Sequence, residues 1–368
     1  MTRTRRILVL EFISAGGLGE AAAAEPADAL GESLLAQGVR MRDALLGELS
    51  ALPSLEVGVA DAGLAPLPAP MRTPGTAMRR LPTAGVDDLA AWLHAQQSAF
   101  DLVWVIAPET GDCLLSLCQA VAPARWIGCS AGAIRVATSK TRTRERLAAQ
   151  GVPTPRAWAP GLPLPAQPGR WVLKPDDGAG SEHTRVFADF AAAHAALGAT
   201  GAVVGSGEVQ AAAGMPTRWT LEAWVEGDAL SLSLLCTGGR VEVLSVNRQR
   251  LTVAAVGRLG YAGVDAGVAP VTPALRDLAA RCAAAVPGLA GFVGIDFVRQ
   301  ANGQLCVIEI NPRLTCAYAG LAAPPPATGP ARDGARPPRR LAADIIAGHD
   351  AALANPATES AHAPTEPA

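Results

Sequence analysis

The stretch GFVGIDFVRQANGQLCVIEINPR, residues 291–313, is two apolar runs joined by Ala301-Asn302-Gly303-Gln304. An Asn-Gly pair supplies the left-handed residues of a tight turn, so the stretch predicts a hairpin of two antiparallel strands. Residues two apart on a strand share a face, which makes Glu309 and Asn311 neighbours; the partner strand can bring Asp296 beside them. Two carboxylates and an amide oxygen form a hard-oxygen cluster suited to Mg2+, with Mn2+ as the alternative. The competing reading is an ordinary strand face that carries acids. Against it, Ile295, Phe297, Ile308 and Ile310 flank these groups, as expected of a central hairpin.

Upstream, WVLKPDDGAGS (171–181) contains one of only two lysines in a chain with 29 arginines. An ammonium on a flexible stem is a compact point charge for phosphate, unlike the broad fork of arginine. After Lys174 the loop offers Gly178, Gly180 and Ser181, whose backbone N–H groups can approach phosphate oxygens closely. This is neither a P-loop nor a dinucleotide fingerprint, and such a loop alone is often a simple turn. The second lysine, Lys140, lies in TSKTRTRERLAAQGVPTP, read as a helix that stops at Gly151. Between these stretches and the hairpin lies LEAWVEGD (221–228). Its extended backbone can hydrogen-bond an adenine ring while Trp224 and Val225 cover it, although the segment alone is an amphipathic strand.

In order and spacing, Lys140, the Lys174 strand with its GAGS loop, LEAWVEG and the GIDF…VIEINPR hairpin resemble the ATP-grasp ligases over about 136–320. The resemblance implies ATP held between two α+β subdomains. It places Lys140 and Lys174 on the phosphates and base, Glu222 at the adenine amino group, and Mg2+ on Asp296, Glu309 and Asn311. VLEFISAGGLG, VIAPETGDCLLSL, GCSAGAIRVATSKTRT, LSVNRQRL and EINPRLTCAYAGL are similar to a narrower group, the tyramine–L-glutamate ligases of methanofuran biosynthesis and their bacterial relatives. In that group ATP phosphorylates the glutamate γ-carboxylate and the tyramine amine captures the acyl phosphate. Another amino acid and amine pair is the alternative.

The chain departs from the family pattern twice. Ala229 stands where many members carry a ribose-binding Glu, leaving Asp228 as a substitute. Gly294 stands where many carry an Arg, so Arg248 or Arg313 must stabilise the transferring phosphoryl group, with Arg248 favoured and Arg313 nearer the acyl phosphate. Arg250 or neither remains the other reading.

Residues 6–135 alternate short apolar runs with amphipathic segments: ILVLEF, LEVGVA and DLVWVIAP as strands, 32–52 and 85–100 as helices. That order predicts a parallel sheet with both faces covered. Glu11, Gly16 and Gly17 follow the first strand and Glu109 follows DLVWVIAP, at strand C-termini where such sheets bind ligands. An acid there can hold a substrate ammonium; a capped turn is the alternative. The expected fold is therefore α/β and α+β: a Rossmann-like pre-ATP-grasp domain (1–135), a lid subdomain with the glycine loop (136–215), and a subdomain with the metal site (216–353). Residues 354–368 read as a disordered tail, and 323–340 are too rich in Pro and Gly for a core element.

Composition narrows the alternatives. A formal charge of −2 and 4% aromatics give no basic field or stacking platform for nucleic acid. The run after the N-terminal arginines is short and contains Glu11, so it reads as a strand, and no membrane span is expected. Seven scattered cysteines without a C-x-x-C pair fit a cytoplasmic protein. The expected partners are small-molecule carboxylate and amine substrates, with a homodimer allowed. GCSAG (128–132) matches a serine-hydrolase nucleophile elbow, but no histidine after Ser130 falls in a suitable segment. A non-catalytic ATP-binding regulator would not need the metal trio.

Overall fold

The computed structural model describes residues 4–19, 33–68, 77–165, 168–178, 181, 183–200, 203–204, 218–322 and 340–354. Gly180, most of the Pro/Arg segment (323–339) and nearly all of the C-terminal tail (355–368) lie outside the described residues.

Among the described residues, three five-stranded sheets organise the chain. The first takes β1 (Arg5–Glu11), β2 (Leu55–Asp61), β3 (Ala77–Pro82), β4 (Leu102–Ile106) and β5 (Trp126–Ile127) in the order β3-β2-β1-β4-β5. All of its pairings are parallel. Alternate residues of β1 enter two different cores: Leu8 and Leu10 pack with Leu89, Leu93 and Leu114, whereas Ile7 and Val9 pack with Leu45, Leu46 and Leu49. Helix α1 (Leu34–Ser50) covers one face, and α2 (Leu89–Gln96) and α3 (Cys113–Gln119) cover the other. The expected covered parallel sheet is present. The polar edge strand β3 was not read from the sequence.

The segment read as a helix into Gly151 follows α4 (Ala131–Thr138) and forms α5 (Lys140–Ala149), with a break at Ser139, φ −89°, ψ 115°, between the two. Ser139 caps α5 by accepting from the Arg142 N–H at 3.2 Å. The break puts Lys140 on the first turn of α5.

The second sheet runs β6 (Ala157–Trp158), β10 (Arg218–Ala223), β7 (Trp171–Pro175), β8 (Arg185–Phe187), with β9 (Val203–Val204) on β10. Helix α6 (Phe190–Ala199) packs on one face against Trp171, Leu173, Trp219 and Leu221. By alternation, Val172, Lys174 and Glu222 face the other way, into the cleft.

The third sheet is antiparallel throughout, β13-β12-β11-β14-β15, from β11 (Asp228–Thr237), β12 (Arg240–Val253), β13 (Leu259–Ala269), β14 (Gly291–Arg299) and β15 (Leu305–Asn311). Leu230, Leu232, Val293, Ile295 and Ile310 form its core face against α7 (Pro273–Ala285). The predicted Asn-Gly hairpin is β14–β15. Its register adds a feature: Asp296 pairs Glu309 while Phe297 pairs Val307, so Ile308 is the extra residue of a bulge. The bulge lets Val307 and Ile310 both face the core while Glu309 and Asn311 stay on the cleft side. Helices α8 (Ala317–Ala322) and α9 (Leu341–Ala354) close the chain against Leu235 and Phe292. Among the described residues no helix is long and apolar enough to cross a membrane.

Candidate active site

The second and third sheets enclose a cleft of about 400 Å3. Lys140, Lys174, Gly178, Ser181, Glu222, Trp224, Val225, Asp296, Glu309, Asn311 and Arg313 all line it. Eleven residues singled out from separate stretches of sequence thus meet in one place.

On the second sheet, Lys174 Nζ lies 2.7 Å from Glu222 Oε2, with both side chains buried. Arg144 adds a second cation 3.7 Å from Glu222 Oε1. Trp224 continues from β10 and donates its backbone N–H to Arg170 O at 2.9 Å, while the Arg170 guanidinium lies 4.8 Å from the ring centroid. Lys140 Nζ donates to Gly178 O at 2.6 Å and stands 3.7 Å from Glu309 Oε2. It therefore touches both the glycine loop and the carboxylate cluster.

Asp176, absent from the sequence reading, anchors this arrangement. Its carboxylate accepts from Ser139 Oγ at 2.5 Å and from the Thr141 N–H at 2.9 Å, and its carbonyl accepts from the Lys140 N–H at 2.9 Å. A carboxylate at a helix N-terminus satisfies otherwise unpaired amides and meets the positive end of the helix dipole. It also ties the start of the glycine loop to the helix carrying Lys140. An acid two residues after Lys174 was the available signal.

On the third sheet Asp296 and Glu309 are direct cross-strand partners, and Asn311 Nδ2 donates to Asp296 Oδ2 at 3.2 Å. Burial and the charge of Glu309 push the Asp296 carboxyl well above the ordinary range. Glu309 is also penalised by burial, but Lys140, Lys174 and Arg313 outweigh it and hold its carboxyl below the usual value. Two buried carboxylates forced together, with the side chain of Asn311 against them, suit a hard divalent cation that would relieve their repulsion. Asp296, Glu309 and Asn311 therefore fit Mg2+. Gln249 also bonds to Asp296 and was missed by the sequence reading. It lies two residues beyond Asn247 on β12, whose alternation would have indicated it.

A buried polar row supports the cluster. Ser231 pairs with both Asp296 and Asn247 across the sheet. Asn247, fully buried, donates to Ser231 Oγ at 3.2 Å and Ser233 Oγ at 3.0 Å, and accepts from Ser245 Oγ at 2.7 Å. Gly294 is explained too: a Cβ there would stand 2.7 Å from Thr315 Cγ2. Thr315 occupies the space that an arginine side chain would need.

Several expected residues lie elsewhere. Arg248 is exposed, because Gln249 and Leu251 take the cleft side of β12. Asp228 faces away from Ala229 and Ser231 and pairs with Arg299 at 2.8 Å. Glu11 is buried and accepts from the Ile13 and Ser14 N–H groups at 3.1 and 2.7 Å; burial raises its carboxyl above the usual value. Helix α1 seals it, since a Cβ on Gly38 would lie 2.4 Å from Glu11 Oε1. Gly16 and Gly17 turn the chain after β1 and do not line the cleft; a Cβ on Gly17 would strike the Phe12 ring. Glu109 pairs with Arg313 at 2.8 Å, both largely buried. Ser130 has ordinary extended geometry, φ −63°, ψ 155°, and caps α4 through the Ala133 N–H. That is a helix cap rather than a strained nucleophile elbow.

Residues 137–317 match the family model of the ATP-grasp domain, and residues 59–134 match that of the pre ATP-grasp 3 domain. Two curated relatives are each a tyramine–L-glutamate ligase. That of Methanocaldococcus fervens is 26% identical over 228 residues, 61% of this chain and 62% of the relative. That of Methanocaldococcus jannaschii is 26% identical over 227 residues, 60% of this chain and 58% of the relative. The matches thus span about three fifths of these relatives' length. Among solved structures, an ATP-grasp superfamily protein of Archaeoglobus fulgidus aligns with TM-score 0.57 and 22% identity, covering 94% of this chain and 88% of that one. The D-alanine–D-alanine ligase of Bacillus anthracis aligns with TM-score 0.57 and 13% identity, covering 96% and 99%. At such identity these two show the fold.

Proposed function

Because this chain belongs to the ATP-grasp family, we propose that it is an ATP- and Mg2+-dependent carboxylate–amine ligase working through an acyl phosphate. The observation that carries the reading is the meeting of both lysines with the Asp296–Glu309–Asn311 cluster in one cleft. Trp224 and Val225 would cover adenine, while Lys140 and Lys174 would take the phosphates. Gly178, Ser181 and, outside the described residues, Gly180 would supply backbone N–H groups. Mg2+ held by Asp296, Glu309 and Asn311 would neutralise charge on the phosphate oxygens.

In the first step a substrate carboxylate oxygen attacks the γ-phosphorus and ADP leaves. In the second an amine attacks the acyl carbon, phosphate leaves with the original carboxylate oxygen, and the amine gives up a proton. Arg313, the arginine that lines the cleft among the described residues, would steady the transferring group; Arg248 is too far round the strand to do so without rearrangement. The work is positioning and charge stabilisation.

The finer reading joins the γ-carboxylate of L-glutamate to tyramine, as the names of the two relatives suggest, within methanofuran-type cofactor synthesis. A cytoplasmic setting goes with a reaction that consumes ATP. The test is phosphate release from Mg·ATP with glutamate and a panel of amines that includes tyramine, with the product weighed by mass spectrometry. Release that requires glutamate and tyramine supports the finer reading. Release with another pair replaces the substrates, and no release with any pair removes the ligase reading.

A further inference from the structure

Arg313 follows the metal hairpin and reaches back to the N-terminal sheet. Its Nε and Nη2 both donate to Glu109 Oε2, at 3.1 and 2.8 Å, and Nη1 donates to Leu314 O at 3.1 Å. A guanidinium has five N–H donors. Three are used here, which leaves one on each terminal nitrogen of a side chain that lines the cleft beside Asn311 and Glu309.

The Glu109 carboxylate is not arranged for the strongest ion pair. A fork-to-fork pair would use both oxygens, each taking its own N–H. Here both bonds converge on Oε2, while Oε1 is buried without a partner among the described residues. Leaving a buried acceptor unpaired opposes stability, so the arrangement is poorly explained as a structural staple. What it does accomplish is to fix the plane of the guanidinium.

The turn carrying Glu109 has a second contact with the cleft. Gly111 and Asp112 are consecutive left-handed residues, at φ 61° and 57°, a conformation uncommon outside glycine that aspartate enters more readily than most. In that conformation the Gly111 N–H donates to Asp177 Oδ2 at 3.1 Å, at the start of the glycine loop. One short turn of the N-terminal sheet thus touches both the loop and the arginine.

We propose that Glu109 is a positioning residue: it holds Arg313 so that the two unused N–H groups face the phosphoryl group in transfer. This rests on the ligase reading above. It replaces the role of Glu109 as a holder of substrate ammonium.

Glu109→Gln keeps the size and removes the charge. It should lower kcat by roughly tenfold or more while the KM for ATP moves less than about twofold, because orientation rather than nucleotide binding is lost. Glu109→Asp, which keeps the charge on a shorter stem, should recover part of kcat. Adding Glu109→Gln to Arg313→Ala should cost nothing further. Independently of turnover, phenylglyoxal should modify Arg313 several-fold faster in Glu109→Gln than in the parent, read by peptide mass spectrometry at matched melting temperature. Unchanged kcat, additive losses or an unchanged labelling rate would each overturn the proposal. Failure of the parent chain to bind Mg·ATP in calorimetry would instead remove the ligase reading, and the labelling comparison would still decide whether Glu109 holds Arg313.

Discussion

Lys174 Nζ stands 2.7 Å from Glu222 Oε2, and both side chains are less than a tenth exposed. The sequence reading gave one residue to nucleotide phosphate and base and the other to the adenine amino group. In the structure they are each other's partner, diagonal across β7 and β10, where Lys174 faces Thr220 and Glu222 faces Val172. A nucleotide entering between the sheets would have to share this pair.

Breaking a buried pair by removing one partner leaves the other charge stranded. Lys174→Met should therefore lower stability in chemical denaturation, by less than the roughly 3 kcal/mol of a fully stranded charge because Arg144 stays 3.7 Å from Glu222. Pairing it with Glu222→Gln should restore most of that loss without restoring nucleotide affinity. A single variant as stable as the parent would contradict the pair.

A cation bound as proposed would compete with the proton for the oxygens of Asp296. Its folded pKa is raised by burial and by Glu309, so the stability it contributes is present below the ordinary carboxyl range and is lost as pH rises through the raised value. Glu309 is shifted the other way, held ionised by nearby cations, so it stays charged over that window. The gain in melting temperature on adding MgCl2 should accordingly grow as pH rises through the raised range of Asp296. Asp296→Asn should stabilise the metal-free protein at neutral pH and lose the response to Mg2+. A gain independent of pH would place the cation elsewhere.

Thr315 lies where a side chain on Gly294 would go. Gly294→Ala should cost about 1–3 kcal/mol by overpacking, and adding Thr315→Ser, which removes the obstructing methyl, should recover part of it. Thermal unfolding of the three variants checks this. Equal stability of Gly294→Ala and the parent would show that the gap is wider than it appears.

Ser130 caps α4 through the Ala133 N–H at 3.2 Å. Ser130→Ala should lower stability by roughly 1 kcal/mol and leave ATP-dependent turnover intact. Loss of turnover in a stably folded variant would return Ser130 to the reacting groups.

The β14–β15 hairpin was legible because its signals are local: an Asn-Gly turn and two-residue alternation lie within one short stretch. The bulge at Ile308 was not, because an extra residue on one strand exists only relative to its partner. Strand β13 escaped notice because LGYAGVDAGVA is rich in Gly and Ala and is ordered by pairing with β12 rather than by propensity. Arg248, favoured within VNRQR, is off the cleft because strand phase gives that side to Gln249. Glu109 lies at the strand end where the sequence placed it. Its partner is 204 positions away, a relationship that local pattern does not contain.

The most direct measurement is oxygen transfer. The carboxylate substrate that supports turnover would be supplied with 18O in its reacting carboxyl group, together with Mg·ATP and the amine, and the released phosphate weighed. An acyl phosphate in this cleft predicts one labelled oxygen in each phosphate, since the carboxylate oxygen that attacks the γ-phosphorus leaves with it. Phosphate carrying no label, released together with a full yield of amide, would contradict the account.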